Sequence, residues 1–428
     1  MSMPERTFIH PDRIFDGHEV RSGVALVVNG RKVERVIPAS EVPSDSGDGH
    51  VFRLPGCTVT PGLIDAHVHL TLGTAGRSYE TVMLEDSDSL MLLRSVYNGY
   101  LHLSRGVTTM RDCGARNRTI FDLKESVEAG IFDVFPRVLV SGRPITTTGG
   151  HFHFCGEEAD GVEAVRTSVR RMIKEGADFI KVMGSGGGTK GTQMGRASYT
   201  VDELRAIVDE THRHGLRCTV HCLATDSIDN AVAAGFDSIE HASFNHPDGS
   251  REFVPEVAQR LVDAGIWYSP TIQTGMRRLE RLERLVKEAE RSGDSMAPEL
   301  EAQLAAARDK VTKKLAVVNG FHERGAKIIA GTDAIATFGD YALGLQSLHE
   351  AGLSNADVLR SATSLAAEAL GVSSEVGSLQ PGKEADLVVV DGNPAEDISV
   401  MEHIRKVMKS GRFVDLEPTL FRLREHRV

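Results

Sequence analysis

The feature that most constrains the fold of this chain is an alternation of strand-like and helix-like segments that begins at residue 62. Eight apolar runs with strand character end near His69, Asp112, Ser141, Lys181, His221, His241, Tyr268 and Asp333. Among the segments between them, 160–175 and 200–214 have clear helical spacing, and the second opens with the capping-box pattern Thr-Val-Asp-Glu. Eight strand–helix units over roughly 250–300 residues predict an α/β fold of the (β/α)₈ TIM-barrel class.

Short strand patterns occupy both ends of the chain. Near the start, Asn29-Gly30 between two apolar runs is the signal of a two-residue hairpin. Strand patterns return at 384–390 and 406–414. We therefore predict a small β-sandwich formed from both ends, with residues 1–61 as its first part, the barrel at 62–370, and the second part at 371–428.

One connection is too long for an ordinary barrel helix. About residues 277–320 carry leucines and a valine at helical spacing, interrupted by Gly293-Asp294-Ser295. This pattern predicts two antiparallel helices that project from the barrel. Three roles are open for this helical hairpin: a solvated surface element, a lid, or a contact between subunits. Because of its apolar seam, we expect a homo-oligomer.

Composition narrows the class of protein. The chain has 428 residues and a net charge of −11, which argues against a nucleic-acid surface. It has no run of eighteen apolar residues and no signal-peptide pattern at its N-terminus. Its five cysteines lack paired-ligand spacing, so we expect them to be reduced and buried. These features predict a cytoplasmic protein that acts on a small molecule, with neither nucleic-acid nor membrane partners.

Residues suited to metal binding fall at the ends of the predicted strands. His67 and His69 are two apart on the first strand, so both imidazoles point to one face. The others are Lys181, His221, His241 and Asp333 on later strands. Each alone is compatible with a hydrogen-bonded core position. Because the C-terminal strand ends of a barrel surround one point, the whole set predicts a metal centre there.

This set, together with the segments 61–69 and 382–388, resembles the amidohydrolase superfamily. The resemblance implies a binuclear site with two divalent ions, most simply Zn²⁺. One would be held by His67, His69 and Asp333, the other by His221 and His241, with a carbon dioxide-derived carbamate on Lys181 bridging both. A hydroxide held between the ions would attack an amide carbonyl, and Asp333 would pass its proton to the leaving amine.

The resemblance also implies a substrate class. Single-metal members lack a lysine at the position of Lys181, which favours hydrolysis of an amide, carbamate, urea or ester. Segments 146–151 and 198–200 are similar to the prolidase-like Xaa dipeptidase and carboxypeptidase branch. That similarity implies that His151 and Tyr199 bind the substrate carbonyl. A dipeptide or N-acyl amino acid is the expected substrate. The alternatives are a carbamate, phenylurea or aromatic amide hydrolase, and a non-catalytic barrel scaffold.

Several further residues near the predicted mouth have open roles. A second His-x-His pair ends at His153, which we interpret as a packing residue. Arg143 and Arg196 either pair with a substrate carboxylate or are solvated. Asp112 either supports a ligand histidine or makes a structural hydrogen bond. The glycine-rich segment 184–191 lacks the Gly-Lys-Ser/Thr ending of a phosphate loop, so we predict a flexible loop over the site.

Overall fold

The structure, a computed structural model, describes residues 6–44, 49–73, 76–292 and 296–417. Its strands are β1 (Arg6–Phe15), β2 (Val20–Ser22), β3 (Val24–Asn29), β4 (Lys32–Pro38), β5 (His50–Pro61), β6 (Leu63–Val68), β7 (Val107–Asp112), β8 (Arg137–Val140), β9 (Ile145–Thr146), β10 (Glu157–Glu158), β11 (Phe179–Met183), β12 (Arg217–Ala224), β13 (Ser238–Asn245), β14 (Trp267–Ser269), β15 (Lys327–Ile328), β16 (Leu387–Asp391), β17 (Ile404–Lys409) and β18 (Arg412–Phe413). Its helices are α1 (Tyr79–Glu85), α2 (Asp88–Ser104), α3 (Thr119–Glu128), α4 (Val162–Glu175), α5 (Val201–Arg213), α6 (Thr225–Ala234), α7 (Pro255–Asp263), α8 (Gln273–Ser292), α9 (Ala297–Glu323), α10 (Tyr341–Glu350), α11 (Asn355–Ser361) and α12 (Ser364–Ala369).

Strands from both ends of the chain share one hydrogen-bonded sheet. Its order is β18-β17-β16-β5-β1-β3-β4, with β2 paired to β1. The C-terminal strand β16 runs antiparallel to β5, so the sheet joins the two ends around the intervening segment. The hairpin predicted at Asn29-Gly30 is confirmed, because Asn29 pairs with Lys32 across the turn between β3 and β4. These strands are hydrogen-bonded into one continuous sheet. The two-layered sandwich therefore remains a prediction.

The segment between these ends contains two parallel sheets. One has the order β6-β7-β8 and the other β10-β9-β11-β12-β13-β14-β15. Backbone hydrogen bonds join the sheets at both sides, from Asp178 N to Val140 O at 2.8 Å and from Ala66 N to Ala330 O at 3.0 Å. Every residue of β6, β7 and β11 is buried, as expected for parallel strands covered on both faces. The predicted α/β, TIM-barrel-like architecture is therefore present.

The two clearest predicted helices are confirmed within two residues as α4 and α5. Thr200 caps α5, accepting a hydrogen bond from Glu203 N while the Glu203 carboxylate accepts one from Thr200 N. The capping box fixes where this helix begins after β11. Helix α4 ends at Gly176 in the left-handed conformation, with φ of 106°, a position that glycine occupies without steric cost.

The helical segment that follows α10 is not a single element, because the chain forms α11 and α12 separated by a break. The carbonyl groups at the end of α11 are used by the sheet. Ala330 N donates to Ser361 O at 3.0 Å, and Ile64 N donates to Ala362 O at 2.8 Å. Thr363 Oγ1 also donates to Leu359 O at 2.6 Å, a local hydrogen bond that competes with helix continuation. Tertiary hydrogen bonds thus end the helix.

Helices α8 and α9 form the predicted hairpin, somewhat longer than expected. Their apolar seam is internal, since Leu282 and Val286 of α8 pack against Leu304 and Ala307 of α9. The residues that suggested a subunit contact are therefore largely buried within the hairpin. The predicted interruption at 293–295 lies outside the described residues. None of the helices described is both long and apolar enough to cross a membrane.

Candidate metal centre

Five histidine rings form a continuous cluster at the C-terminal ends of the parallel strands. The ring centroids are separated by 5.3 Å for His69–His67, 5.3 Å for His67–His241, 4.6 Å for His241–His221 and 4.6 Å for His221–His151. All five side chains are buried. The structure thus brings together every histidine that the sequence placed at the site, although β6, β12 and β13 lie far apart along the chain.

Asp333 and Lys181 join this cluster. Asp333 Oδ1 lies 3.4 Å from His67 Nε2 and 3.6 Å from His69 Nε2. The ligand-type atoms of these three residues lie within 4.8 Å of one another. Lys181, on β11, is 1% exposed, and its Nζ has no hydrogen-bond partner among the described residues. These side chains line one cavity of about 350 Å³, together with His151, His221 and His241.

The ring nitrogens that face away from the site are held by neighbouring polar groups. The pairs are His67 Nδ1 with Glu240 Oε2 (2.8 Å), His69 Nδ1 with Gly114 O (2.9 Å) and His241 Nδ1 with Thr271 Oγ1 (2.6 Å). His221 has the opposite orientation, because its Nε2 lies 3.3 Å from Gly186 O. The other ring nitrogen of each histidine can bind a metal: Nε2 of His67, His69 and His241, and Nδ1 of His221.

A fully buried ion pair supports His67 from below. Arg111 donates to Glu240 Oε1 at 2.6 Å, and Thr219 Oγ1 donates to the same oxygen at 2.6 Å. Burial alone would raise the pKa of Glu240, but the Arg111 charge and the contact with His67 outweigh it and hold that pKa well below its usual range. Glu240 is therefore an anion that accepts the Nδ1 proton of His67 and fixes its tautomer.

The donor set fits divalent metal ions. His67 Nε2 and Lys181 Nζ are buried and have no hydrogen-bond partner among the described residues, an arrangement that is costly unless another group completes it. Burial lowers the pKa of His69, His221 and His241 well below the ordinary value, so these imidazoles are neutral, the form that binds metals. An ammonium group cannot ligate a cation, whereas a carbamate on Lys181 would do so.

Asp333 is positioned by a residue that the sequence-based prediction missed. Asp65 accepts hydrogen bonds from His67 N at 3.1 Å, Thr332 N at 3.0 Å and Thr332 Oγ1 at 2.7 Å. These bonds attach the segment after β15 to β6 and place Asp333 beside the histidines. Asp333 itself has φ of +54°, a strained backbone that the surrounding contacts must maintain. The signal available in the sequence was Asp65 itself, an aspartate within an apolar strand pattern.

His151 occupies the edge of the cavity, with its Nδ1 2.7 Å from Thr189 Oγ1. Burial, aided by the Lys181 charge, lowers the pKa of His151 to about 3, so the ring is neutral. The glycine-rich loop after β11 packs on this ring. A Cβ atom at Gly187 would lie 2.4 Å from His151 Nε2, so only glycine permits this approach. The loop predicted to cover the site therefore contacts one of its histidines.

The structure does not bring Tyr199 to the cavity. Its hydroxyl donates to Ala159 O at 2.8 Å, and its side chain is buried in the main hydrophobic core. The hydroxyl is therefore not available to a substrate, contrary to the role implied for it. Tyr79 is the tyrosine that lines the cavity, and its ring stacks on Phe152 at 5.4 Å between centroids. Tyr79 is the first residue of α1, far upstream of Tyr199, and no sequence signal pointed to it.

Other residues predicted near the mouth have structural roles or lie outside it. Arg143 pairs with Glu157 at 3.0 Å and with Glu175 at 2.8 Å, so it is not free for a substrate carboxylate. His153 contacts the Phe154 ring and does not line the cavity. Arg196 is exposed and likewise outside the cavity lining.

Asp112 supports the site through the backbone. It accepts hydrogen bonds from Leu70 N at 2.7 Å and Gly114 N at 3.1 Å, and Gly114 O in turn accepts the His69 ring proton. Burial raises the pKa of Asp112 to about 7.

The hairpin and a neighbouring loop build the outer wall of the cavity. Arg278 of α8, Lys310 and Lys314 of α9, and Arg251 after β13 all line it. Lys314 Nζ donates to Thr271 O at 2.7 Å, and burial lowers the pKa of Lys314 to about 8. Helical spacing predicts the hairpin but does not show which side faces the site, so sequence reasoning missed this wall.

Comparison with known proteins identifies the family. The sequence model of the amidohydrolase family matches residues 58–414. Ochratoxinase from Aspergillus niger is 27% identical over 430 residues, covering 93% of this chain and 84% of that protein. A crystal structure of an Xaa-Pro dipeptidase with bound methionine superimposes with a TM-score of 0.79 at 28% identity, covering 96% of this chain and 100% of that one. A prolidase complexed with N-methylphosphonate-L-proline gives 0.78 at 27% identity, covering 96% and 99%.

The match spans most of the chain, including all the residues of the histidine cluster. The similar structures named as dipeptidase and prolidase agree with the branch that the sequence resembled. The chain therefore belongs to the amidohydrolase family, and it is a hydrolase that acts on C–N bonds.

Proposed function

We propose that the protein is a binuclear zinc-dependent amidohydrolase that cleaves the amide bond of a dipeptide or an N-acyl amino acid. One observation carries the proposal. Six side chains suited to metal binding converge on one cavity, and the Lys181 amine is buried among them without a hydrogen-bond partner in the described part of the chain. A lysine in that position is explained when its Nζ carries a carbamate that bridges two cations.

Two groups of residues would hold the ions. His67, His69 and Asp333 would bind one, His221 and His241 the other, and the modified Lys181 both. When bound, such ions supply Lewis-acid polarisation and a water whose pKa lies near neutrality. Similar structures named as dipeptidase and prolidase support this assignment.

Asp333 would move the proton. Its carboxylate lies beside the histidines, 3.4 Å from His67 Nε2 and 3.6 Å from His69 Nε2. A carboxylate within reach of the attacking water can act first as a general base and then as a general acid. Asp333 would therefore take a proton from the attacking water and deliver it to the leaving nitrogen.

His151 would donate a hydrogen bond to the substrate carbonyl from its Nε2. Thr189 Oγ1 accepts a hydrogen bond from Phe152 N at 3.1 Å and lies 2.7 Å from His151 Nδ1, so its hydroxyl can donate its proton to that nitrogen. The ring proton then lies on Nε2, the nitrogen that faces the glycine-rich loop and the cavity. A neutral Nε2–H donor can stabilise the developing oxyanion by roughly 3 kcal/mol.

A second candidate substrate is an aromatic amide, carbamate or phenylurea. Tyr79 and Phe152 form a stacked aromatic side of the cavity, which would accept an aryl group. The 27% identity to ochratoxinase also supports this candidate.

The proposal extends to the surrounding architecture. We propose that the two parallel sheets close into a (β/α)₈ barrel over 62–370, because hydrogen bonds join both pairs of edges. Residues 1–61 and 371–428 would form the second domain. A homo-oligomer in the cytoplasm remains our expectation for the whole protein.

The decisive experiment is hydrolysis of a mixed library by the zinc-loaded protein, read by mass spectrometry. The library contains dipeptides, N-acyl amino acids, aryl ureas and aryl carbamates. Cleavage of dipeptides or N-acyl amino acids supports the first proposal, and cleavage of aryl compounds alone supports the second. Metal analysis of the same sample checks for two ions per chain. Absence of bound metal together with absence of turnover would contradict the proposal.

A further inference from the structure

The cavity has a strongly asymmetric charge distribution above the metal centre. Its outer wall carries four cationic side chains, Arg251, Arg278, Lys310 and Lys314. Asp333 is the sole carboxylate among the described residues that line the cavity, and it lies against the histidines at its floor. The chain as a whole has a net charge of −11, so this wall is a local reversal of the protein's overall charge.

Carboxylates lie near two of these cations, Asp309 near Arg251 and Asp333 near Lys314, but not at ion-pair distance. Within the described ranges, no carboxylate forms an ion pair with any of them. Arg251 instead donates to the neutral Asn245 Oδ1 at 2.9 Å, and Lys314 donates to Thr271 O at 2.7 Å. Some basic residues of the hairpin that face elsewhere do have such partners, since Lys313 lies 2.8 Å from Asp309 and Arg308 lies 2.9 Å from Glu283. Others, such as Arg281 and Lys287, have no ion pair among the described residues, so what distinguishes the four cations is their position on the cavity wall.

The cationic residues of the wall lie outside the strands of the two parallel sheets. Arg278 belongs to α8, Lys310 and Lys314 to α9, and Arg251 follows β13. The internal apolar seam of α8 and α9 packs the two helices together, and Arg278, Lys310 and Lys314 of this pair line the cavity. A cation in a partly desolvated cavity is stabilised when an anionic group of the ligand pairs with it.

From this wall we infer that the preferred substrate carries two carboxylates, and that it is an N-acyl aspartate, an N-acyl glutamate or a dipeptide with such a residue at its C-terminus. The inference rests on the proposed amide hydrolysis. A carboxylate has two oxygens and can accept hydrogen bonds from two cationic side chains at once, so four unpaired cations can accommodate two carboxylates. An α-carboxylate supplies one of these, and an acidic side chain supplies the other.

The test compares three substrates that differ mainly in side-chain charge. N-acetyl-L-glutamate, N-acetyl-L-glutamine and N-acetyl-L-lysine are offered to the zinc-loaded enzyme, and kcat/KM is measured for each. We expect kcat/KM for the glutamate compound to exceed that for the glutamine compound by about tenfold, mainly through KM, with the lysine compound lowest. The preference should shrink as ionic strength rises. Equal or better turnover of the glutamine compound would overturn the inference while leaving the proposed function intact.

Two variants test whether the cationic wall causes the preference for the glutamate compound. In the double variant Arg278→Gln/Lys310→Gln, the glutamate-to-glutamine ratio should fall toward one. Lys313→Gln, on the same helix but outside the cavity lining, should keep the wild-type ratio. A ratio unchanged in the double variant would mean that the carboxylates are recognised elsewhere, and would contradict the inference.

A binding measurement decides the inference if none of the three compounds is cleaved, a result that would count against the proposed function. Calorimetry with glutarate and with glutaramate, its monoamide, compares a dianion with a monoanion of the same length. Tighter binding of glutarate to the wild type, lost in Arg278→Gln/Lys310→Gln and kept in Lys313→Gln, supports the dianion subsite. Equal affinities, or a glutarate preference that the double variant retains, contradict it.

Discussion

Glu240 Oε2 lies 2.8 Å from Nδ1 of His67, and both side chains are fully buried. The same carboxylate is paired with Arg111, so the charge that orients His67 is itself balanced inside the protein. Glu240 therefore has two roles: it orients His67 at the candidate metal site, and it balances the buried charge of Arg111.

Glu240→Gln should therefore weaken metal binding and destabilise the fold together. The amide cannot balance Arg111, and breaking a buried pair costs about 3–5 kcal/mol of unfolding free energy. Loss of the oriented His67 should lower metal affinity by about 10- to 100-fold. Urea unfolding and metal analysis after dialysis against a chelator measure both effects. Glu256→Gln, at an exposed position, is the control and should change neither.

Asp333→Asn should retain most of the metal but lose most of the turnover. The four histidines and Lys181 remain as ligands, whereas the group that transfers the proton is removed. A loss of about 100- to 10,000-fold in kcat is expected. Steady-state kinetics and metal analysis on the same preparation test this, and near-wild-type rates would refute the role assigned to Asp333.

Lys181→Ala should lose metal and activity in parallel, because the bridging group is absent. Addition of a short carboxylate, with bicarbonate present, should partly restore both. In the wild type, isotope-labelled bicarbonate should give a carbamate resonance by NMR. Full metal occupancy in Lys181→Ala would show that no bridge is required.

Tyr199→Phe should leave catalysis unchanged. Its hydroxyl bonds Ala159 O in the core, so its loss should cost about 1 kcal/mol of unfolding free energy. By contrast, Tyr79→Ala removes a ring that lines the cavity and should lower kcat/KM for aromatic amides several-fold. A large kinetic defect in Tyr199→Phe would restore the role that the sequence implied for it.

The metal-free protein should lose stability as the pH falls below about 6.5, the ordinary pKa of histidine. The pKa of His151 is about 3 in the folded chain, so between these values only the unfolded chain binds this proton. Unfolding then takes up a proton, and stability decreases by about 1.4 kcal/mol per pH unit for each such histidine. His151→Gln should reduce the slope of unfolding free energy against pH by the contribution of one proton, about 1.4 kcal/mol per pH unit. Denaturant midpoints from pH 7 to 4 in chelator provide the test, and an unchanged slope would contradict it.

Local patterns in the sequence predicted the TIM-barrel-like architecture and the set of candidate metal ligands. A period of two placed His67 and His69 on one face, and alternating strand and helix patterns indicated a TIM-barrel-like fold. Because parallel strands of this fold end at one mouth, residues far apart in sequence could be assigned to one site. The capping box at Thr200 likewise gave the start of α5, since a cap depends on residues only three apart.

Tertiary structure alone decided which side chains surround the candidate ligands. Tyr79 rather than Tyr199 reaches the cavity, and Arg143 is paired with Glu157 and Glu175. Three of the four cations of the wall come from the hairpin that follows β14, and Arg251 comes from the segment after β13. These outcomes depend on the orientation of loops and of an insertion, which long-range packing and hydrogen bonds fix. Periodicity reports which face of an element is apolar, but it carries no information about which partner that element meets.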